Sequence, residues 1–329
     1  MPKSKESIKV LAKAINPKTK PQESLQIIQS FRQELSLSWL EEILKSRSPL
    51  DNLIQVWKNL FELLDNSDIN VRIAAFSALG ALISNVASFH PQMVSDSFKQ
   101  AFPSIEFTAN KSVSLIACYL YLVNFLPFQQ RTQFIESVNI LPHFSVDTSE
   151  FIDHIPHLIP LMKPLETDFH KAFLRSIIVS FTHSQKVGFP EAILEMVKLN
   201  PSILINDSIE FFIQNNAEQP ILSIGSTFLQ DSEIFPFLGE KNISFFESKA
   251  MEVLKNKDSQ VNEIEKSVNI IASLLKMSRQ VSNLNELDFS QYPKHIQKFT
   301  IQIDPNLQHL KIDDQNDSQF MKQSKLKAL

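Results

Sequence analysis

Five of the eight histidines of this chain fall in one stretch of the sequence, and histidine is the commonest metal ligand in proteins. They are His143, His154, His157, His170 and His183. His154 and His157 lie three positions apart, so on a helix both imidazoles face the same way beside Asp153, and His170 can approach from a partner helix. Zinc binding is one interpretation. The interpretation we favour is a polar helix edge, because the apolar residues between and after these histidines suit a packed turn.

The sequence contains few residues in arrangements suited to other kinds of catalysis. Cys118 is the only cysteine, which excludes an internal disulfide and a zinc–thiolate site within one chain and suits a reducing compartment. It lies in the apolar run 115–120, so we expect a buried, unreactive thiol. There is no glycine-rich phosphate loop, no Gly-x-Ser-x-Gly elbow and no paired-cysteine spacing. We therefore predict no catalytic, cofactor-binding or metal-binding residues and no enzymatic activity.

Two further sets of side chains are candidates for binding a partner. The first is the basic set Lys163, Lys171, Arg175 and Lys186. It could contact an acidic partner or a phosphate, but Glu166 and Asp168 are interspersed, and we favour solvated helix ends. The second is formed by the adjacent pairs Phe211-Phe212 and Phe245-Phe246. Adjacent residues of a helix cannot both point inward, so one of each pair contacts a neighbouring helix, as we expect, or an outside partner.

The apolar spacing in the segment 53–83 predicts two helices joined by a turn. Its first half spaces large apolar residues by three and four: Leu53, Ile54, Trp57, Leu60, Phe61 and Leu64. This pattern predicts an amphipathic helix, and in the turn that follows Asp65 or Asp68 can accept hydrogen bonds from the free amides of the next helix. The next helix carries a second stripe: Val71, Ala74, Ala75, Ala78, Leu79 and Leu82. Neither helix can bury its stripe alone, so the pair requires neighbours on both sides.

This segment resembles the core of a HEAT repeat. The likeness is carried by Val71-Arg72 and Ala78-Leu79-Gly80, within the run 63–82. In that family the arginine pairs with an aspartate six residues earlier, where this chain has Asn66. A proline is also common within the first helix, where this chain reads Trp57-Lys58-Asn59. The clear match covers about one repeat. The resemblance implies an α-α superhelix of the HEAT or armadillo type, and a scaffold that presents a concave or grooved surface to other proteins.

The amino-acid composition and the positions of the prolines support an all-α fold over most of the chain. Average usage would give about 23 glycines in 329 residues, whereas there are 4, too few for the turns of a large sheet protein. Pro49, Pro91 and Pro127 mark helix starts about 40 residues apart, the spacing of HEAT or armadillo units. Pro156 and Pro160 should split the helix that contains them. We predict a superhelix of roughly six to seven helix pairs.

The two ends of the chain depart from this pattern. Residues 1–20 carry six lysines around an apolar stripe, which predicts a basic N-terminal helix or arm. A transit peptide fits less well, because no arginine precedes Arg32. We assign residues 21–280 to the helical repeats and 281–329 to an irregular segment and a polar C-terminal tail. No apolar run reaches the ~18 residues of a membrane span.

The expected function is that of a non-enzymatic helical-repeat scaffold or adaptor that binds other proteins, whose identity the sequence does not select. The net charge of −4 argues against a nucleic-acid partner. An alternative is an adaptor that binds nucleic acid or an acidic membrane surface through its lysine-rich N-terminus, with strong salt dependence. A third is an enzyme with an unrecognised helical site around His154 and His157. We expect a cytoplasmic protein, with the nucleus as the other compartment.

Overall fold

The computed structural model describes residues 3–144, 147–149, 152–184, 186, 188–215, 218–256, 259–276 and 281. These residues form α-helices, short helical turns and loops without a β-strand, which confirms the predicted all-α class. The α-helices are α1 (Lys3–Ala14), α2 (Pro21–Glu34), α3 (Leu37–Leu44), α4 (Pro49–Leu63), α5 (Ile69–Leu82), α6 (Pro91–Ala101), α7 (Ala109–Phe125), α8 (Phe128–Ser137), α9 (Ile155–Leu158), α10 (Thr167–Ser184), α11 (Phe189–Lys198), α12 (Pro201–Gln214), α13 (Glu218–Gln230), α14 (Glu240–Lys255) and α15 (Val261–Lys276). The predicted irregular segment and tail lie outside the described residues, except for residue 281.

Prolines and polar caps set many of the helix boundaries. Four helices begin at a proline: Pro21, Pro49, Pro91 and Pro201. Proline suits this position because its missing N–H would have no partner within the helix in any case. Asp68 Oδ1 accepts a hydrogen bond from the N–H of Asn70 at 2.8 Å and so caps α5. The 3-10 turns Ile152–His154 and Ile159–Met162 flank α9, which confirms the split expected from the two prolines there.

The chain divides into two compact units, Met1–Ile177 and Ile178–Leu329. In the first unit α1 contacts α2, α4 contacts α5, and α6 contacts α7, so these helices form pairs. The first helices of the pairs also contact one another, α1 with α4 and α4 with α6, and so do the second helices, α2 with α5 and α5 with α7. We call α1, α4 and α6 the first layer and α2, α5 and α7 the second layer. In the second unit α12 contacts α13, α14 contacts α15, and α13 also contacts α15.

An aromatic cluster fills the space between α4 and α6 in the first unit. Trp57 and Phe98 meet edge to face with ring centroids 5.2 Å apart, and Trp57 also stacks on Phe61 at 6.1 Å. Trp57 is completely buried, and its Nε1–H donates a hydrogen bond to Ser97 Oγ at 2.9 Å. Most of the predicted apolar stripe around Trp57 is therefore in the core, with Ile54 only half-buried, and the one polar atom of the indole is satisfied.

The basic N-terminal helix α1 is an integral part of the first unit. The helix contacts α2, α3 and α4, and Ile8, Leu11 and Ala14 are buried, whereas Ala12 of the predicted apolar stripe is exposed. Ser7 Oγ accepts a hydrogen bond from Trp39 Nε1 at 3.2 Å. Lys9 lies on the outer side of the helix and is exposed. Removing this helix would therefore uncover core surface as well as remove charge.

Close approach between α13 and α14 in the second unit depends on a glycine. A Cβ atom built on Gly225 would lie 2.6 Å from Phe246 Cδ1. Phe246 is buried, so its ring cannot swing into solvent without opening the core. Any larger residue at position 225 forces either the ring or the helix to shift.

Candidate interaction surface

The structure does not bring the sequence-predicted histidines together. His154 and His157 are exposed, whereas His170 is buried with its Nε2 2.9 Å from the carbonyl oxygen of Met162. Among the described residues, no three His, Cys, Asp or Glu side chains are grouped so that they could hold a metal ion. The zinc interpretation therefore has no support in the geometry of this region.

The remaining histidines of the set make ordinary packing and capping contacts. The ring of His143 stacks on Phe107 with centroids 3.4 Å apart, and burial lowers the pKa of His143. His183 Nδ1 lies 2.7 Å from the carbonyl oxygen of Val179 in the same helix. Neither arrangement orients an imidazole toward a reacting group in the described structure.

The other candidate residues predicted from the sequence also have structural roles. Cys118 is buried, as predicted, and burial raises the pKa of its thiol. In each phenylalanine pair one ring is buried and the other is only half-buried, which confirms that both cannot point inward: the buried members are Phe212 and Phe246. Lys163 and Arg175 are exposed in the first unit. The favoured interpretation of the basic set as solvated helix ends stays a prediction.

The outer side of α5 carries a stripe of exposed large apolar residues that the sequence pattern did not single out. Ile69, Ile73 and Phe76 are 57%, 57% and 50% exposed. They recur at intervals of four and three residues, so they lie on one side of the helix, while Val71 and Ala75 on the other side are completely buried. Helix α5 is therefore apolar on both sides, although only one side has neighbours in the core.

Helix α7 also carries exposed aromatic residues. Most of α7 is buried, but Tyr121 and Phe125 are 39% and 38% exposed. Helices α5 and α7 contact each other in the second layer. We call the exposed stripe of α5 the second-layer face, defined by Ile69, Ile73 and Phe76.

Charged side chains of both signs lie near the start of this face, with Asp68 immediately before Ile69 and Arg72 within α5. Neither α5 nor α7 contains an aspartate or glutamate. At the start of α5, Arg72 Nη1 donates hydrogen bonds to the carbonyl oxygens of Asn66 at 2.9 Å and Ser67 at 3.3 Å, which holds the guanidinium against the turn before the helix. On the other side of α5, Arg32 lines an open groove of about 800 Å³ between α2 and α5. Gly80 lies along this groove, and a Cβ atom there would meet nothing within 4 Å.

A buried ion pair fixes α7 against the turn between α4 and α5. Lys111 Nζ lies 2.7 Å from Asp65 Oδ2 and 3.6 Å from Glu62 Oε2. The Lys111 side chain is only 3% exposed. Thr108 Oγ1, just before α7, donates a hydrogen bond to Asp65 Oδ1 at 2.7 Å. Arg72 donates its hydrogen bonds to backbone carbonyl oxygens and not to an aspartate. An ionic link from α7 to the turn before α5 is made by Lys111 and Asp65.

One stretch in the described part of the chain, Ile69–Ala87, is long and apolar enough to cross a membrane by length and composition alone. It has 19 residues and a mean hydropathy of 1.4. Core helices of soluble proteins meet the same criterion, and this stretch contributes buried side chains such as Val71 and Val86 to the first unit. The composition of α5 is therefore accounted for by its place between the core and the second-layer face.

Comparison with protein-family models and with curated proteins gives no match for this chain.

Proposed function

We propose that this chain is a helical-repeat interaction protein that binds another protein through the second-layer face. The observation that supports the proposal is the α5 stripe, where three large apolar side chains stay half or more exposed on one side of one helix. Exposed apolar residues that occur singly are ordinary, but a contiguous set is characteristic of a binding surface.

The arrangement of the first unit is consistent with this role. Its helix pairs contact one another in register, first helix to first helix and second helix to second helix, as stacked repeats do. We extend this to an α-α superhelix of the HEAT type as part of the proposal. In such a stack the second helices would line one continuous surface, and an exposed stripe on them would be available to a partner.

The binding free energy that the face can supply is moderate. Full burial of an Ile or Phe side chain stabilises by about 1.5–3 kcal/mol, so each half-exposed member offers about 1 kcal/mol. The three residues of the face contribute about 3 kcal/mol, which is below the cost of association, about 4–15 kcal/mol. Apolar contact alone therefore gives weak binding, and a specific partner needs polar contacts at the rim of the face.

A comparison of matched surface variants tests the proposal. The full chain carrying Ile73→Ser and Phe76→Ser is used as bait in an affinity capture beside the wild type, and a photo-crosslinking residue at position 69 identifies what touches α5. The control bait carries Ile203→Ser and Phe237→Ser, which change apolar residues of similar exposure in the second unit. We expect partners crosslinked at position 69 to be lost from the first variant and retained by the control. Partners retained equally by both baits would contradict the proposal.

A further inference from the structure

We infer that a cavity in the second unit binds a small carboxylic acid with an apolar body. Residues of α10, α11, α13 and α15 line this cavity, and α13 contacts both α11 and α15. Its volume is about 430 Å³, which falls within the range of about 300–1,000 Å³ that is typical of small-molecule sites. The site is separate from the second-layer face, which belongs to the first unit.

Lys266 brings an unpaired cation to the cavity. Its side chain is half-buried on α15, and its ammonium group makes no hydrogen bond or ion pair with the described residues. Burial lowers the pKa of Lys266, because removal from water disfavours the charged form, and the nearby charges of Glu263 and Glu265 offset only part of this effect. A carboxylate bound in the cavity would stabilise the ammonium group.

Lys198, in the same unit, shows the contrast. Burial acts on its ammonium group as well, but Nζ lies 3.0 Å from Asp231 Oδ2 and 3.0 Å from Glu195 Oε1. These two carboxylates raise the pKa of Lys198 in spite of its burial. Charges removed from water in proteins are normally paired in this way. The carboxylate that Lys266 lacks within the chain is the group that a ligand would supply.

Ser223 is a second polar group in the cavity without a partner. The residue is 7% exposed, and its hydroxyl group makes no hydrogen bond with the described residues. Its carbonyl oxygen is occupied, because it accepts a hydrogen bond from Thr227 Oγ1 at 2.9 Å. Buried hydroxyl groups are normally hydrogen-bonded. The Ser223 hydroxyl is therefore available to donate to a ligand oxygen, and such a bond is strongest when that oxygen is charged.

The apolar part of the lining fits a hydrocarbon or aromatic body. Phe181, Pro190 and Pro220 contribute to it. Phe181 stacks on the completely buried Phe189 with ring centroids 5.3 Å apart, which fixes the position of its ring. An apolar lining with a few polar groups is typical of sites for small organic molecules.

The charges of the lining favour a single negative charge on the ligand. The charged side chains that line the cavity are Lys186, Lys266 and Glu191, so their sum is +1. A carboxylate balances this sum, whereas a doubly charged phosphate exceeds it. The described lining also lacks an arginine, the residue best suited to bidentate phosphate binding. Glu191 should weaken the binding of any anion, and this gives the test a variant with the opposite sign.

Paired acids and amides test the inference on the full chain. The probes are benzoic, phenylacetic, cinnamic, 2-naphthoic and octanoic acid, each beside its primary amide, which has nearly the same shape but no charge. Binding at pH 7 is detected by saturation-transfer NMR and measured by isothermal titration calorimetry. We expect at least one acid to bind, and its amide to bind about tenfold more weakly.

Variants then locate the bound acid. Lys266→Met should weaken binding about tenfold and Ser223→Ala about threefold, whereas Glu191→Gln should strengthen it about threefold. Lys241→Met is the control, because Lys241 is an exposed lysine of α14 outside the cavity, and it should change the affinity less than about twofold. Thermal unfolding of each variant verifies that the fold is retained, and the gain expected for Glu191→Gln does not depend on any loss of stability.

Each contrary result would overturn the inference. Equal binding of an acid and its amide would show that only the apolar body is recognised. Equal affinity of the wild type and Lys266→Met would place the acid elsewhere, and a lack of binding by every acid would leave the cavity without its ligand class. Displacement of a bound acid by an equal concentration of inorganic phosphate would assign the site to phosphate instead. The proposed function concerns the first unit, so it stands or falls separately by the capture experiment.

Discussion

The buried ion pair between Lys111 and Asp65 gives the sharpest test of how the helix pairs are held together. The first change is Asp65→Asn, which removes the negative charge but keeps the Oδ1 acceptor of Thr108. The second is Lys111→Met, which replaces the buried ammonium group by an apolar side chain of similar length. The double variant completes a cycle that isolates the coupling of the two charges.

The expected magnitudes follow from the distances and the exposure of each partner. At 2.7 Å and an effective dielectric constant of about 20, the attraction is about 6 kcal/mol before the cost of burying the charges is subtracted. Asp65 is 30% exposed and Glu62 remains 3.6 Å from the ammonium group, so the loss is smaller than the about 3–5 kcal/mol of a fully buried pair. We expect Asp65→Asn to lower the free energy of unfolding by about 2 kcal/mol and Lys111→Met to lower it by about 1 kcal/mol or less.

Urea unfolding followed by tryptophan fluorescence measures these changes. The chain has 2 tryptophans, Trp39 and Trp57, and both lie in the first unit, so the signal reports the unit that contains the ion pair. In the Lys111→Met background, Asp65→Asn should cost about 0.5 kcal/mol or less, because no buried charge is left unpaired.

Two results would refute this reasoning. The first is an Asp65→Asn cost that is equally large with and without Lys111, since it would show that the aspartate acts through other contacts. The second is a Lys111→Met variant that is less stable than Asp65→Asn, since the lysine would then stabilise through packing rather than require its partner.

Three other predictions concern the second unit and the single thiol. Gly225→Ala should lower the free energy of unfolding by about 1–3 kcal/mol, because the added methyl group clashes with Phe246. Adding Phe246→Leu to this variant should recover part of the loss. An unchanged unfolding midpoint for Gly225→Ala would contradict the close approach of the two helices. Burial disfavours the charge of Asp231, but hydrogen bonds from Lys198 and from two backbone N–H groups outweigh it and lower the pKa of the carboxyl. The ionised Asp231 carboxylate therefore contributes its full stability above about pH 4 and loses it as the pH falls through the lowered pKa. In the Asp231→Asn variant the free energy of unfolding should depend less on pH in that range than in the wild type. An equal pH dependence in both proteins would contradict the role of the Asp231–Lys198 pair. Cys118 should react with a thiol-specific dye only at the rate of unfolding, and rapid labelling of the native protein would show that the thiol is accessible.

Much of the helical framework is predictable because its signals are local. The three-and-four spacing around Trp57 and the prolines at helix starts act within a few residues of the chain, so the helices on both sides of the turn 65–68 and the break around Pro156 agree with the sequence. The same applies to Cys118, whose apolar neighbours predict its burial. The packing of α1 onto the core is less evident, because its lysines suggest an arm as readily as a surface helix.

The candidate interaction surface could not be predicted from the pattern. Ile73 and Phe76 are the same kinds of residue as those that fill the core. The predicted stripe of α5 is buried at Val71, Ala75, Ala78, Leu79 and Leu82, but its spacing does not show that the apolar residues on the opposite side stay uncovered. The one available signal was the uniform apolarity of α5 itself. The histidine set shows the converse, since residues close in sequence and suited to zinc are separated by the actual fold into exposed and buried positions.

By itself, the sequence determined that the described part of this chain is helical and where most of its helices begin and end, because hydrogen bonding, proline geometry and amphipathic spacing operate over a few residues. Only the tertiary structure decided that Lys111 is buried against Asp65 and that Ile69, Ile73 and Phe76 remain exposed. Burial depends on which distant segment packs over a side chain, and the type of a residue does not specify its neighbour. The surface most suited to a partner is therefore the part of α5 that the rest of the chain leaves uncovered.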